Sequence, residues 1–183
     1  MFILAKRLEF MFENKSISLD EIPRYEEVVL QNLHTNYKKI VIFNASITLL
    51  VGVLLSGLLL YFFDSEEGVL TFFYIPFVVA LIVAVYSLLA FSKRKYAFRE
   101  HDALYKSGLV SKATHIIPYI RIQHVVIKQG WYAKKLGLAT LQLHTAANDK
   151  VDVNIPGLLL EDAKRWKSYV LNRIQELEDE TNE

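Results

Sequence analysis

Residues 40–91 read IVIFNASITLLVGVLLSGLLLYFFDSEEGVLTFFYIPFVVALIVAVYSLLAF. Two apolar runs, Ile40–Phe63 and Val69–Phe91, flank the short polar stretch Asp64-Ser65-Glu66-Glu67-Gly68. Each run holds about 23 residues and no charge, and a helix needs roughly 20 to cross a bilayer core. Their polar atoms are confined to Asn44, a few Ser and Thr, and tyrosine hydroxyls, which a membrane helix tolerates. Buried helices of soluble proteins rarely run this long with apolar residues all round. The stretch therefore predicts a transmembrane hairpin with its turn at residues 64–68.

The flanks of the hairpin predict its orientation. Lys38 and Lys39 precede the first run, Lys93, Arg94 and Lys95 follow the second, and the turn carries three carboxylates and no base. The positive-inside rule then puts both termini in the cytoplasm and the acidic turn outside, in the inner membrane of the cell. Tyr37, next to the two lysines, is expected to anchor the first helix at the headgroup layer. The first run begins too far into the chain, and is too long, to be a cleavable signal peptide. The absence of cysteine excludes disulfides, cysteine-type zinc sites and thiol catalysis.

Before the hairpin, residues 1–39 balance six basic against six acidic side chains. Phe2–Phe12 places Leu4, Leu8, Met11 and Phe12 at helical spacing with Lys6, Arg7 and Glu9 between them. That pattern suits a short interfacial helix, or one packed on a partner or on the chain's own membrane helices. Pro23 discourages a helix through residue 22, and Glu26–Leu30 is ambiguous between strand and helix.

After the hairpin, residues 92–183 change character. Leu141 and Leu143 alternate with Thr140, Gln142 and His144, and Val151, Val153 and Ile155 alternate with Asp152 and Asn154. A period of two is that of half-buried strands. His115–Pro118 and Ile122–Gln129 are rich in β-branched residues and read as strands, as do the short stretches Tyr96–Arg99 and Ala103–Lys106. Turn residues fall at Ser107-Gly108, Gly130, Ala147-Asn148-Asp149 and Pro156-Gly157. Closely spaced short strands favour a small barrel or sandwich. The chain then reverts to helix: Leu159, Ala163, Trp166, Val170, Ile174 and Leu177 form one apolar stripe, with Glu161 and Asp162 in the first turn, where the helix dipole favours acids. Trp166 is expected to plug one open end of the strand assembly. A short-stranded barrel capped by a C-terminal amphipathic helix is the plan of pleckstrin-homology-like (PH-like) domains, so the fold class is an α+β membrane protein: a two-helix hairpin followed by a PH-like domain.

The stretch IIPYIRIQHVVIKQGWYAKKLGLATLQLHTA, Ile116 to Ala146, resembles the signature of the bacterial PH-domain membrane proteins of the YdbS-like kind. Pro118, Arg121, Ile122, Gln123 and Val125 match a Pro-x-x-Arg-Ile-Gln-x-Val core. Gln129 and Gly130 match a Gln-Gly turn, Gly137 to Leu141 a Gly-Leu-Ala-Thr-Leu strand, and Ile155 to Gly157 an Ile-Pro-Gly turn. The resemblance covers residues 37–176 and implies membrane helices leading into a PH-like domain; it implies little about biochemistry.

Chemistry is sparse. His34, His101, His115, His124 and His144 form no metal-ligand motif. No glycine-rich phosphate loop or Ser-His-Asp arrangement is present. The expectation is a protein that is not an enzyme and carries no metal or cofactor. Two polar clusters stand out. In Arg121-Ile122-Gln123-His124, a strand would put Arg121 and Gln123 on one face and Ile122 and His124 on the other. Arg121 and Gln123 then either tie neighbouring loops by hydrogen bonds or form a contact surface. Trp131-Tyr132-Ala133-Lys134-Lys135 mixes aromatics and lysines, which suits a membrane interface, a protein contact or a helical turn across the barrel mouth.

Residues 93–175 carry fifteen Lys or Arg against six Asp or Glu, an excess of nine, and residues 176–183 form a tail with five acids and no base. A basic body suits an anionic leaflet, and equally an ordinary solvated surface. The few residues between Phe91 and Tyr96 span at most about 17 Å, so the domain is held against the leaflet. The first functional expectation is a protein-interaction or assembly module at the inner leaflet of the bacterial cytoplasmic membrane, its partner another PH-domain membrane protein or a second copy. The alternative is an anionic-lipid or headgroup sensor. A subunit of a membrane enzyme or transporter ranks last, because Asn44 alone is poor support for a polar pathway. Membrane attachment argues against nucleic acid as a partner.

Overall fold

Apolar runs of this length fold as helices because only a helix satisfies its own backbone in lipid. The computed structural model of the protein describes residues 28–62, 70–145 and 153–182. The expectations for Phe2–Phe12, the turn 64–68 and Ala147–Asp149 lie outside the described residues. Helix α1 spans Tyr37–Phe62 and α2 spans Leu70–Phe91. Helix α1 begins three residues ahead of its apolar run, so Lys38 and Lys39 lie in its first turn.

The two helices meet along small residues. Val41, Ala45 and Gly52 of α1 are buried, as are Ala80 and Ala84 of α2. A β-carbon on Gly52 would lie 2.5 Å from the β-carbon of Ala80 and 3.1 Å from the Pro76 carbonyl, so glycine permits the approach. Without a hydrophobic driving force between helices in lipid, such close packing is what holds a hairpin together. The rest of the surface, including Leu54, Leu58, Ile82 and Leu89, is exposed, as a lipid-facing surface must be. Three hydroxyls fold back onto their own helices: Ser46 Oγ donates to Ile42 O (3.0 Å), Thr48 Oγ1 to Asn44 O (3.0 Å) and Ser87 Oγ to Ala84 O (2.8 Å), whereas the buried Ser56 Oγ has no partner among the described residues.

The domain is built from two antiparallel sheets and one long helix. Strands β1 (Gln31–Asn32), β2 (Lys95–Phe98), β3 (Asp102–Ser107) and β4 (Ala113–Pro118) form the first sheet in that order. Strands β5 (Ile122–Lys128), β6 (Leu138–Thr145) and β7 (Val153–Leu159) form the second. Helix α3 (Trp131–Lys135) links β5 to β6, and α4 (Leu160–Asn182) closes the domain. The core joins both sheets and α4 through Tyr96, Tyr119, Ile122, Val125, Leu141, Leu143, Ile155, Ala163 and Val170. Trp166 stacks on Phe98 with ring centroids 4.3 Å apart and planes 18° apart, so it does cover one end of the strand assembly. The same end is clasped by hydrogen bonds. Tyr119 Oη donates to Arg99 O (2.7 Å), and Arg173 Nε donates to Glu100 O (3.1 Å). Burial pushes the Tyr119 phenol well above its ordinary range, so it remains a donor.

Two local readings of the sequence are corrected. Pro156-Gly157 is not a turn: β7 runs through it to Leu159, and the register with β6 shifts between Ala139 and Leu141. Gly157 has φ +70°, a conformation that side chains resist, and this makes the irregularity a bulge in place of a strand end. Arg121 closes a 3₁₀ turn, Tyr119–Arg121, and the β5–β6 register shifts between Ile122 and His124. The bulge breaks the alternation, so Ile122 is buried while Gln123 and His124 are both exposed.

The hairpin is joined to the domain at Gly157. His34 N donates to Gly157 O (3.0 Å), Leu33 enters the core, and β1 pairs with β2 through Gln31 and Tyr96. A β-carbon on Gly157 would sit 2.7 Å from the Tyr37 ring. Gly157→Ala therefore forces a side chain into both a left-handed backbone and an occupied space, at a cost of about 2 kcal/mol or more. The expected result is a melting temperature roughly 4–8 °C lower for the detergent-solubilised full chain. Adding Tyr37→Ala relieves the clash and leaves the backbone strain, so the double variant recovers no more than part of the loss.

Candidate membrane-facing site

The segment Trp131-Tyr132-Ala133-Lys134-Lys135 does form a helical turn, and its ends are set by glycine. Gly130 precedes it in extended backbone. Gly137 follows with φ +67° and donates its N–H to Lys134 O (3.2 Å), the left-handed stop that ends many helices. Gln129 Nε2 donates to Leu138 O (2.7 Å) and fastens the two sides of the excursion.

This turn touches the membrane hairpin. The Tyr132 ring lies 4.6 Å from Phe43, and Trp131 meets Phe43 edge-on at 5.5 Å, centroid to centroid. Phe43 is four residues beyond Lys39, about 6 Å further along the helix axis. Trp131 remains 64 % exposed, with the Lys135 ammonium 5.4 Å from its ring centroid. Lys134 and Lys135 are exposed. Aromatic rings packed on an apolar helix with exposed lysines beside them are a combination that also occurs at membrane interfaces.

The flanking residues gather on the same side. Tyr37 packs against Phe91 of α2 (centroids 5.8 Å apart), and Arg94 Nη1 reaches Tyr37 Oη at 3.5 Å. Burial raises the Tyr105 phenol, and the positive field of Arg94 opposes that rise. Lys38, Lys39 and Lys93 are exposed and Lys95 is half-buried. Only Ser92 to Arg94 separate α2 from β2, and they turn tightly, with Lys93 N donating to Ala90 O and Arg94 N to Phe91 O.

Arg121, Gln123 and His124 are not brought to this site. They occupy the opposite end of β5 from α3, a strand length of roughly 20 Å away. All three are exposed, and among the described residues neither Arg121 nor Gln123 makes a side-chain hydrogen bond, so the tie between loops does not form. His124 faces His144 across β5 and β6. Among the described residues no three His, Cys, Asp or Glu side chains group as a metal site. Sequence reasoning missed Phe43, whose place in a uniform apolar run gives no sign of a partner.

A membrane hairpin followed within three residues by two antiparallel sheets and a closing helix defines a membrane-anchored PH-like protein. The Bacterial PH domain family model matches residues 41–176, and the chain belongs to that family. Over 76 residues it is 36 % identical to the UPF0699 transmembrane protein YdbS of Bacillus subtilis (strain 168). That alignment takes in 42 % of this chain and 46 % of the relative, so the match spans less than half the relative's length. No solved structure matches the chain.

The depth assigned to Trp131 is open to direct measurement. The chain has two tryptophans, and Trp166→Phe leaves Trp131 as the sole emitter. In reconstituted vesicles, lipids brominated near the top of the acyl chain are expected to quench Trp131 strongly, and more than lipids brominated near the chain end. With Trp131→Phe, the remaining Trp166 is expected to be barely quenched by either. Equal quenching of the two tryptophans would contradict the placement.

Proposed function

We propose that this protein is a non-catalytic module that holds its PH-like domain face-down on the inner leaflet and recognises anionic lipid there. The observation that carries this reading is the packing of Trp131 and Tyr132 on Phe43, a contact of the domain with the membrane helix beyond the covalent tether. Lys134 and Lys135 belong to the same turn, and Lys38, Lys39, Lys93 and Lys95 lie at the ends of the two membrane helices; each basic group near an anionic surface contributes about 1 kcal/mol. The five bases flanking the hairpin support a cytoplasmic location of both termini.

The test uses the full chain carrying Trp166→Phe in vesicles that mix phosphatidylcholine and phosphatidylglycerol, with bromine on one lipid at a time. Quenching of Trp131 is expected to be stronger from brominated phosphatidylglycerol. Lys134→Glu with Lys135→Glu is expected to abolish that preference, and salt to weaken it. Equal quenching by the two lipids in the unmodified surface would overturn the reading.

A second reading, an assembly role, rests on a different observation. Among the described residues strand β4 ends the first sheet with no neighbour on one side, and Ile116 on it and Ile120 just beyond are exposed. An unpaired edge with apolar side chains is a template for adding a strand, from a second copy or another PH-domain membrane protein. Ile116→Lys with Ile120→Glu is expected to reduce an oligomer in mild detergent to a monomer. A wild-type chain that is already monomeric there would exclude self-assembly.

A further inference from the structure

The solvent-facing row of the second sheet brings Lys128 opposite Thr140 and Gln142 opposite Asn154. Across an open cleft of about 490 Å³ from this row lie Arg94 and Tyr37, with Ser107 from the end of β3 and His115 from within β4. Cleft volumes in this range suit a small ligand. Among the described residues no carboxylate lines the cleft, and Arg94, Lys128 and His115 have no acidic partner. Three groups able to carry positive charge thus converge, from three separate parts of the chain, on a space edged by hydroxyl and amide donors. Gln142 Nε2 already donates to Asn154 Oδ1 (2.6 Å), which leaves the Asn154 amide N–H groups free to donate into the cleft. Arg94 spends one weak contact on Tyr37 and keeps its remaining N–H donors.

The position of the cleft is as informative as its lining. Tyr37 is the first residue of α1, and Arg94 lies three residues past the end of α2, so the hairpin holds this wall at the headgroup layer. Other clefts on the domain lack this combination. One, bounded by Arg99, Glu100, His101 and Asp102, has its one permanent cation paired in the Arg99–Asp102 ion pair and a further carboxylate, Glu100, in its lining. Another runs beside the β4 edge and shares His115; Arg121 is its one permanent cation, and Ile116, Ile117, Pro118 and Val153 make up half of its lining.

We propose that the cleft between Arg94, Lys128 and His115 is a phosphate site, and that it takes the phosphate of a lipid headgroup. A phosphate offers several acceptor oxygens and one or two negative charges. The donor set matches it with a guanidinium, an ammonium and an imidazole around the charge and hydroxyls at the rim. The inference deepens the leaflet-recognition reading and rests on it for the source of the ligand. The surface lysines of α3 supply attraction to any anionic membrane, and the cleft adds selection among headgroups.

The test is ³¹P NMR on the full chain in phosphatidylcholine nanodiscs. Dihexanoyl phosphatidic acid, glycerol 3-phosphate and inorganic phosphate are titrated separately. Wild-type protein is expected to broaden and shift the phosphatidic acid resonance saturably. Lys128→Gln and His115→Ala are each expected to weaken binding about tenfold, the loss of one charge-assisted hydrogen bond, and Lys128→Arg to retain it. Both positions are solvent-exposed, so unchanged melting temperatures without ligand separate lost binding from lost fold. A response to the lipid alone assigns a headgroup. An equal response to inorganic phosphate supports the site and assigns its ligand to the soluble pool. No saturable response to any of the three, or a response untouched by Lys128→Gln with His115→Ala, overturns the proposal. Lys134→Glu with Lys135→Glu should leave the NMR response intact while removing the surface preference, so the failure of either reading is visible separately.

Discussion

The structure depends on one close contact, the ring of Tyr37 lying on Gly157. A membrane hairpin and a small β domain have no common core, and a tether alone would leave them free to tilt against one another. Here the chain enters the domain before it enters the membrane. Strand β1 pairs with β2, Leu33 fills the core, His34 donates to Gly157, and Tyr37 then starts the first membrane helix on top of that glycine. The chain leaves the membrane at Phe91, against the same ring, and starts β2 four residues later. Both crossings therefore pass through one joint. Glycine is required there twice over, by its left-handed backbone and by the volume of the ring.

That joint explains why α3 can act on the membrane at all. A turn of five residues with two aromatics would be unremarkable on a freely moving domain. Because the joint fixes the domain beside α1, the same turn packs against Phe43, and its tryptophan keeps an exposed face beside an apolar helix. The hairpin interior follows the same logic at smaller scale. Gly52 lets α2 approach closely, and the bulk of both helices is left to the bilayer.

Much of this was legible in the sequence, for reasons that differ by residue. The hairpin follows from charge-free length and the C-terminal helix from the spacing of Ala163, Trp166 and Val170. The strands β2 to β7 follow from alternation and β-branching. Misread positions share a cause: each depends on a partner distant in sequence. Pro156-Gly157 has the composition of a turn, and only the pairing of β6 with β7 makes it a bulge. Arg121 and Gln123 sit in a strand-like run, but Arg121 closes a 3₁₀ turn ahead of the strand and the register shift against β6 moves Gln123 out of alternation. Strand β1 is two residues long and has no periodicity to detect. Phe43 is apolar among apolar residues, and the cleft draws its lining from five separate strands and a helix end.

A PH-like fold carries no ligand by itself, and this chain has less need of one for attachment than a soluble PH-like domain does. Its affinity for the membrane is supplied covalently, so a headgroup site would add nothing to residence on the bilayer. What such a site can add is a response. Arg94 belongs both to the cleft and, through Tyr37, to the joint. A phosphate drawn to Arg94 competes for the guanidinium that now leans on the tyrosine, and by linkage whatever favours the bound state favours the arrangement of the joint that goes with it. On the proposal above, a phosphate held in the cleft would therefore be felt at the joint itself, through the one side chain that the two share.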